Sequence, residues 1–141
     1  MGVTVWIPRW LSYLAIAHAD LDQIDDAWRC IAEATSTIET TKERWFEAET
    51  KRIAGEIALK SRQADAAKAE AHFKRALAVA REKQAKSWEL RTSMSLARLW
   101  RDQGKVPQAR ELLAPAYGWF TEGFDTLDLK EAKALLEKLA S

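Results

Sequence analysis

The stretch from Ser87 to Ala116 reads SWELRTSMSLARLWRDQGKVPQARELLAPA, and its pattern predicts two helices joined by a turn. Gly104 can adopt the left-handed conformation that ends a helix, and Pro107 suits the first turn of the next helix. Apolar residues recur at helical spacing on both sides of this turn: Trp88, Leu96, Ala97, Leu99, Trp100, Ala109, Leu112, Leu113 and Ala116. A hairpin with two apolar faces cannot bury both alone, so it needs similar hairpins on either side.

Similar hairpins recur along the chain, each marked by an alanine in its second helix. Ala27, Ala69 and Ala109 are separated by 42 and 40 residues. A larger apolar residue follows four positions after each alanine, and another alanine follows seven positions after it: Ile31, Phe73 and Leu113, then Ala34, Ala76 and Ala116. Because seven residues make about two helical turns, each set of three lies on one face. We expect the alanines to admit a neighbouring helix and the larger residue to fill the gap between layers.

A tryptophan stands near the expected start of each first helix, at Trp6, Trp45 and Trp88. Because these residues recur at one register, we expect them to pack between layers rather than to contact a ligand. The tryptophans at 10, 28 and 119 do not recur in this way. One of these three could be exposed and contact a partner.

The repeated pattern resembles the tetratricopeptide repeat (TPR) family, whose signature is W-x2-L-G-x2-Y in a first helix and A-x3-F in a second, followed by a proline, in a period of about 34 residues. The matching segments are Leu11-x2-Leu14-Ala15-x2-His18 with Ala27-x3-Ile31, Ala54-Gly55-x2-Ala58 with Ala69-x3-Phe73, and Ser93-x2-Leu96-Ala97-x2-Trp100 with Ala109-x3-Leu113. Glu39, Arg81 and Thr121 stand where the closing proline would be, which fits the longer period seen here.

The resemblance implies an all-α fold, in which three TPR-like helix hairpins and a C-terminal capping helix form a right-handed superhelical α-solenoid. Residues 1–141 are then expected to form a single TPR-like domain. Its repeats would lie at about 6–42, 43–85 and 86–122, with the capping helix at about 127–140.

Local signals place some of the helix boundaries. Thr40-x-x-Glu43 is a candidate capping box for the third helix, and Ser87 is a candidate cap for the fifth. The last helix is predicted to open at Asp128-x-x-Glu131. Its inward side is expected to carry Leu129, Ala132, Leu135, Leu136 and Leu139.

A second resemblance concerns the run 96–105 and the tail 117–136, which look like the C-terminal repeat region of large bacterial regulatory proteins. In those proteins a nucleotide-cyclase-like domain and a P-loop ATPase domain come first, and neither is present in these 141 residues. The resemblance implies a regulatory or scaffolding segment of that kind, cut out or standing alone.

Composition is that of an ordinary soluble globular chain, with 48% apolar and 30% charged residues. The net charge of +1 provides no overall attraction to nucleic acid or membrane. The single cysteine, Cys30, leaves no intrachain disulfide and fits a reducing compartment. There is neither an apolar run long enough to span a bilayer nor a signal peptide, so we expect a cytoplasmic protein.

No motif for catalysis or cofactor binding stands out. His18 and Cys30 lack the closely spaced partners of a zinc site, so a packed histidine and a buried thiol are favoured over a metal site. Gly104-Lys105 lacks the residues that surround a phosphate-binding loop. We therefore expect no enzyme activity, no cofactor and no metal.

The best functional signal lies on the first helices, which in the TPR family line a concave groove and contact ligands. Carried over by register, this groove would contain Arg91, Met94, Arg98 and Arg101 from the third repeat, Glu49, Arg52, Glu56 and Lys60 from the second, and Arg9, Ser12 and Ile16 from the first. Three guanidinium groups on one stripe could bind a carboxylate or an acidic peptide. The alternative is that the glutamates at 49 and 56 pair with these arginines across the groove.

The leading hypothesis is therefore a non-catalytic module that binds a peptide or protein, in particular an acidic one, on this groove. A second is regulation of cyclase or ATPase domains in a longer bacterial signalling protein. A third is self-association as a homodimer through the N-terminal hairpin, whose outer face has no preceding repeat. Nucleic acid and membranes are not expected as partners.

Overall fold

The computed structural model of the chain describes residues 7–61 and 63–140. These residues form seven helices and no strand, which confirms the all-α prediction. The helices are α1 (Ile7–Asp20), α2 (Ile24–Thr41), α3 (Glu47–Lys60), α4 (Ala66–Glu82), α5 (Lys86–Asp102), α6 (Val106–Gly118) and α7 (Leu127–Ala140). Trp6, the first of the recurring tryptophans, lies outside the described residues.

Short turns with a left-handed residue join α1 to α2 and α5 to α6. Gly104 has a φ of 80° just after α5, as predicted for a helix stop. Asp22 has a φ of 61° at the corresponding place after α1. Pro107 lies in the first turn of α6, where its missing N–H group leaves no helical hydrogen bond unmade.

The capping box predicted at Thr40 and Glu43 is wrong. Helix α2 continues through Thr40, and α3 begins only at Glu47. The chain leaves α2 at Lys42, whose φ of 61° is left-handed and whose N–H group donates to the carbonyl oxygen of Ile38. The boundary is therefore set by backbone conformation rather than by a capping side chain.

The predicted cap at Ser87 is also wrong, because Ser87 lies inside the first turn of α5. The cap position belongs to Ala85, whose side chain makes no capping hydrogen bond. Just before it, Gln84 turns the chain with a φ of 54°. A non-glycine residue in this conformation is uncommon, so the sequence contains no strong signal for the boundary.

The chain divides into two compact units, Met1–Val79 and Ala80–Ser141. In the first unit, α1 packs against α2 and α3, and α2 packs against α3. Alanines and branched side chains form its core: Ala15, Ala19, Ala27, Cys30, Ile31, Ile53, Ala54 and Ile57. The small alanines let these helices approach closely, and the isoleucines fill the space between them.

In the second unit, α5 packs against α6 and α7, and α6 packs against α7. The buried core consists of Leu90, Met94, Ala97, Ala109, Leu113, Leu129, Ala132, Leu135 and Leu139. Four of the five α7 residues predicted to face inward belong to it, and the fifth, Leu136, packs partly buried against it. The predicted inward face of α7 is therefore confirmed.

The repeated alanines are buried alike in α2, α4 and α6. Ala27, Ala69 and Ala109 are all completely buried. The larger residues four positions later are buried too, at Ile31, Phe73 and Leu113. Of the second alanines, those at 34 and 76 are buried and the one at 116 is partly exposed. The predicted packing role of these positions is confirmed in this respect.

A side chain of α4 lies against α3 at Gly55, the glycine of the TPR-like motif. A Cβ atom added there would lie 2.5 Å from Cε1 of Phe73, whose side chain is completely buried. Real Cβ atoms do not approach a neighbour this closely. Gly55 therefore lets the Phe73 ring lie against the α3 backbone.

The predicted repeats each enclose one helix pair: α1 and α2 in 6–42, α3 and α4 in 43–85, and α5 and α6 in 86–122. Helix α7 coincides with the predicted capping helix. Their stacking into one superhelical TPR domain stays a prediction. Across the residues that the structure describes, no helix combines the length and the apolar character needed to cross a membrane.

Candidate partner-binding surface

The predicted groove residues of α3 form an ion network within that helix. Arg52 donates to both carboxylate oxygens of Glu49, from Nε at 3.0 Å and from Nη2 at 2.6 Å. A third residue, Glu56, lies 3.7 Å from Nη1 of the same guanidinium. Glu49 is completely buried and 13% of the Arg52 side chain is exposed. Glu49 thus has no surface to present to a partner, whereas Glu56 is partly exposed.

Ser12 was also predicted to line the groove, and its side chain is buried. Its hydroxyl donates to the carbonyl oxygen of Pro8 at 2.6 Å, and it lies 2.9 Å from the hydroxyl of Thr50 on α3. At the other end of the same helix pair, Asp20 and Lys60 form an ion pair of 2.8 Å. These contacts join α1 to α3.

Of the predicted groove residues on α5, three are partly exposed and one is buried. The side chains of Arg91, Arg98 and Arg101 are 29%, 41% and 34% exposed. Met94 has only 2% of its surface exposed and belongs to the core of the second unit. Its burial leaves the three arginines as the part of the α5 stripe that a partner can reach.

The carboxylates next to these arginines come from α7. Nε of Arg91 is 3.7 Å from Oδ1 of Asp128, and Nη2 of Arg98 is 3.6 Å from Oε2 of Glu131. Arg101 pairs with the neighbouring Asp102 at 3.2 Å. We call Arg91, Arg98, Arg101, Asp128 and Glu131 the α5–α7 face.

Sequence reasoning missed the two carboxylates of the α5–α7 face as groove residues. Each is more than 30 positions from the arginine with which it pairs, so only the packing of α7 on α5 brings them together. From the sequence, the acidic residues at 128 and 131 are predicted only to mark the start of the last helix. Their spacing of three, which places both carboxylates on one side of α7, was the signal that could have found them.

The ion pairs of the α5–α7 face are long and exposed to water. Pairs of this kind contribute about 0 to 1 kcal/mol to stability, because solvent screens them and holding two flexible side chains costs entropy. Each guanidinium carries five N–H donors, more than one carboxylate can accept. A carboxylate from another molecule can therefore compete with Asp128 and Glu131 for these arginines at little cost.

Two of the tryptophans that do not recur are well exposed, Trp10 at 66% and Trp119 at 57%, as predicted for at least one of them.

The prediction that Trp45 packs between layers is wrong. Trp45 is 37% exposed and lies in the turn before α3, and the adjacent Phe46 is buried in its place. The two rings meet edge to face at 5.4 Å.

Trp28, the remaining tryptophan that does not recur, is partly buried. It contacts a lysine and a histidine of α4. The Lys68 ammonium lies 4.0 Å from its ring centroid, and the ring of His72 lies 5.8 Å away. Burial lowers the pKa of His72, and the charges of Arg75 and Lys68 lower it further. Both effects favour the neutral form of the imidazole.

His18 and Cys30 occupy ordinary structural positions. Nδ1 of His18 shares a hydrogen bond of 2.6 Å with Oε1 of Gln23 in the turn after α1. Cys30 lies in the core of the first unit, where burial raises the pKa of its thiol, and the charges of Glu33 and Asp26 raise it further. Within 7–61 and 63–140, no three His, Cys, Asp or Glu side chains are grouped so that they could hold a metal ion.

A cleft of about 290 Å³ lies in the second unit beside Trp119. Three of its charged residues pair with one another, since Glu89 lies 3.3 Å from Nε of Arg81 and 3.5 Å from Nζ of Lys86. The Lys86 ammonium also lies 5.4 Å from the ring centroid of Trp119. Three of the charged residues that line this cleft thus have partners within the protein itself.

A comparison of the chain with models of known protein families found no match, and no curated protein matches its sequence. The likeness to the TPR family therefore rests on the repeated residues alone, and membership of that family stays a prediction.

Proposed function

We propose that the chain is a non-catalytic interaction module, and that its α5–α7 face binds an acidic segment of another protein. The observation that supports this most strongly is the pairing of partly exposed arginines on α5 with two carboxylates of α7 across distances of 3.6 and 3.7 Å. The arginines of α5 thus already pair with carboxylates of the protein itself, over long and partly exposed contacts.

The face suits an extended acidic segment because its arginines follow the axis of α5. Arg91 and Arg98 are seven residues apart, or about 10 Å along a helix. Residues two positions apart in an extended strand are separated by about 7 Å, so successive acidic side chains on one side of the segment can reach both guanidiniums. Arginine favours such contacts because its planar guanidinium binds carboxylates in a bidentate manner.

In this arrangement Asp128 and Glu131 occupy the places that the partner's carboxylates would take. Binding then exchanges one set of ion pairs for another, and the partner must displace the α7 carboxylates. The proposal therefore makes two predictions of opposite sign: loss of the arginines weakens binding, and loss of the α7 carboxylates strengthens it.

The probe is a fluorescein-labelled peptide of alternating Glu and Leu, and its binding is followed by fluorescence anisotropy at low ionic strength. We expect Arg91→Glu with Arg98→Glu to weaken binding by at least about tenfold, since two charge-assisted contacts become repulsive. Asp128→Ala with Glu131→Ala should tighten binding by several-fold. Added salt should weaken binding to the unchanged protein because the contacts are exposed.

The matched control is Lys130→Glu with Lys133→Glu, which changes the net charge by the same amount. Both lysines are exposed on α7 and lie at least about 100° around the helix from Asp128 and Glu131. We expect this control to change affinity by less than about threefold. Equal losses in the control and in the arginine variant would mean that only net charge matters, and the proposed face would be wrong.

A further inference from the structure

A band of exposed residues follows one side of α1 from end to end. It consists of Arg9, Trp10, Tyr13, Ala17 and Asp20, which we call the α1 outer face. At about 100° per residue, these five positions fall within one arc of about 100° on the helix surface. Trp10 is 66% exposed and Tyr13 is 43% exposed. Aromatic side chains grouped in this way on a surface are typical of an interaction site.

The outer side of the last helix is different. Helix α7 exposes Lys130, Lys133, Glu137 and Lys138, which suits contact with water. The α1 outer face has one charge at each end and aromatic or small residues between them. Of these two terminal helices, α1 is therefore the one whose surface resembles an interface.

The charges of the α1 outer face are complementary to those of a second, antiparallel copy. Arg9 near the start of α1 and Asp20 at its end lie on the same edge of the exposed arc, within about 20° of each other. When two identical helices pair antiparallel about a two-fold axis, like edges meet and opposite ends meet. Arg9 of each protomer then faces Asp20 of the other, whose carboxylate also pairs with Lys60 of its own chain at 2.8 Å.

The same register fits the shapes of the side chains. Trp10 and Ala17 share the opposite edge of the arc, with Tyr13 between the two edges. Placing Arg9 opposite the partner subunit's Asp20 brings Trp10 close to the partner subunit's Ala17. A large ring meets a small residue twice, once on each side of the two-fold axis, as in well-packed helix pairs.

We propose that two copies of this chain associate through their α1 outer faces as an antiparallel, two-fold symmetric dimer. Contacts within the chain already hold Tyr13 in place at this interface. The centroid of its ring lies 5.9 Å from that of the buried Phe46 and 5.6 Å from Cζ of Arg9. A helix of 14 residues is about 21 Å long. One such helix per copy forms a small interface, so the dimer is weak and depends on concentration.

Sedimentation velocity over a range of protein concentrations tests the proposal on the complete chain. The unchanged protein should pass from monomer to dimer as its concentration rises. Trp10→Glu should weaken dimerisation by at least about tenfold, because it removes an aromatic contact on each side of the two-fold axis and places a charge there. A monomer at every concentration, or a dimer that Trp10→Glu leaves unchanged, would overturn the proposal.

The matched control is Trp119→Glu, which replaces a similarly exposed tryptophan in the second unit. Its dimerisation should equal that of the unchanged protein. Circular dichroism of each variant checks that the helices are retained, so that loss of the dimer reports the interface. If Trp119→Glu abolishes the dimer and Trp10→Glu does not, the interface lies elsewhere and the proposal is overturned.

A charge exchange tests the antiparallel register itself. Arg9→Glu alone and Asp20→Lys alone each place like charges at both ends of the interface, and each should weaken the dimer. An equimolar mixture of the two variants restores opposite charges at both ends and should form a mixed dimer. If the mixture associates no better than either variant alone, Arg9 does not meet Asp20 and the antiparallel register is overturned.

Discussion

Polar contacts in the two units differ in kind, although each unit contains three successive helices in which the first packs against the third. In the first unit several of them are short and buried, as in the hydroxyl pair of Ser12 and Thr50 at 2.9 Å and in the completely buried Glu49 held by Arg52, although the Asp20–Lys60 pair is exposed. In the second unit, the ion pairs that join α5 to α7 are longer than 3.5 Å and partly exposed. Polar groups thus contribute to folding in the first unit, whereas in the second they can exchange partners.

The largest expected effect is at Arg52. Arg52→Ala leaves the carboxylate of Glu49 buried without its bidentate partner, which costs about 3 to 5 kcal/mol in the free energy of unfolding. Arg98→Ala, the counterpart in the second unit, should cost no more than about 1 kcal/mol because its ion pair is exposed. Urea unfolding followed by circular dichroism measures both.

A double variant shows whether the charge or the side-chain volume is responsible. Glu49→Leu with Arg52→Met removes both charges and keeps the space filled, so its stability should return to within about 1 kcal/mol of the unchanged protein. If Arg52→Ala costs no more than Arg98→Ala, the contrast between the two units is wrong.

A loss of stability of intermediate size is expected on substitution of Gly55. Gly55→Ala pushes a methyl group into the ring of Phe73 and should destabilise the protein by about 1 to 3 kcal/mol. The smaller side chain of Phe73→Leu should recover part of this loss when the two changes are combined. In the second unit, Gly118→Ala meets no atom within 4 Å and should leave the urea midpoint unchanged or raise it.

The smallest effects, of opposite sign, are expected at two buried hydroxyls. Ser12→Ala removes hydrogen bonds to Pro8 and Thr50 and should cost about 1 kcal/mol. The hydroxyl of Thr92 on α5 is also buried, and among the described residues it has no hydrogen-bond partner. Thr92→Val should therefore be neutral or stabilising by up to about 1 kcal/mol. A loss at Thr92 greater than that at Ser12 would contradict the comparison.

The helices and their buried faces could be predicted from the sequence because each depends on local spacing. Ala27, Ile31 and their counterparts in the other hairpins repeat a pattern whose meaning does not depend on distant residues. The inward face of α7 follows from the same rule. The start of α3 could not be predicted, because its cap position is Phe46, whose side chain makes no capping hydrogen bond.

The candidate site was predictable only in part. The arginines of α5 stand out by their spacing, but Met94 has the same spacing and belongs to the core. A stripe of residues three and four apart identifies one side of a helix without showing how much of it a neighbour covers. The roles of Asp128 and Glu131 depend on how α7 packs, and only the three-dimensional structure contains that information.

The left-handed residues between the helices have a consequence for engineering. Asp22, Lys42 and Gln84 adopt φ values of 61°, 61° and 54°, a conformation that costs residues with a Cβ atom about 1 to 2 kcal/mol. Glycine would avoid this cost, and the greater flexibility of the unfolded chain would offset part of the gain. Efforts to raise the heat resistance of the protein can therefore begin in its turns, away from both hydrophobic cores.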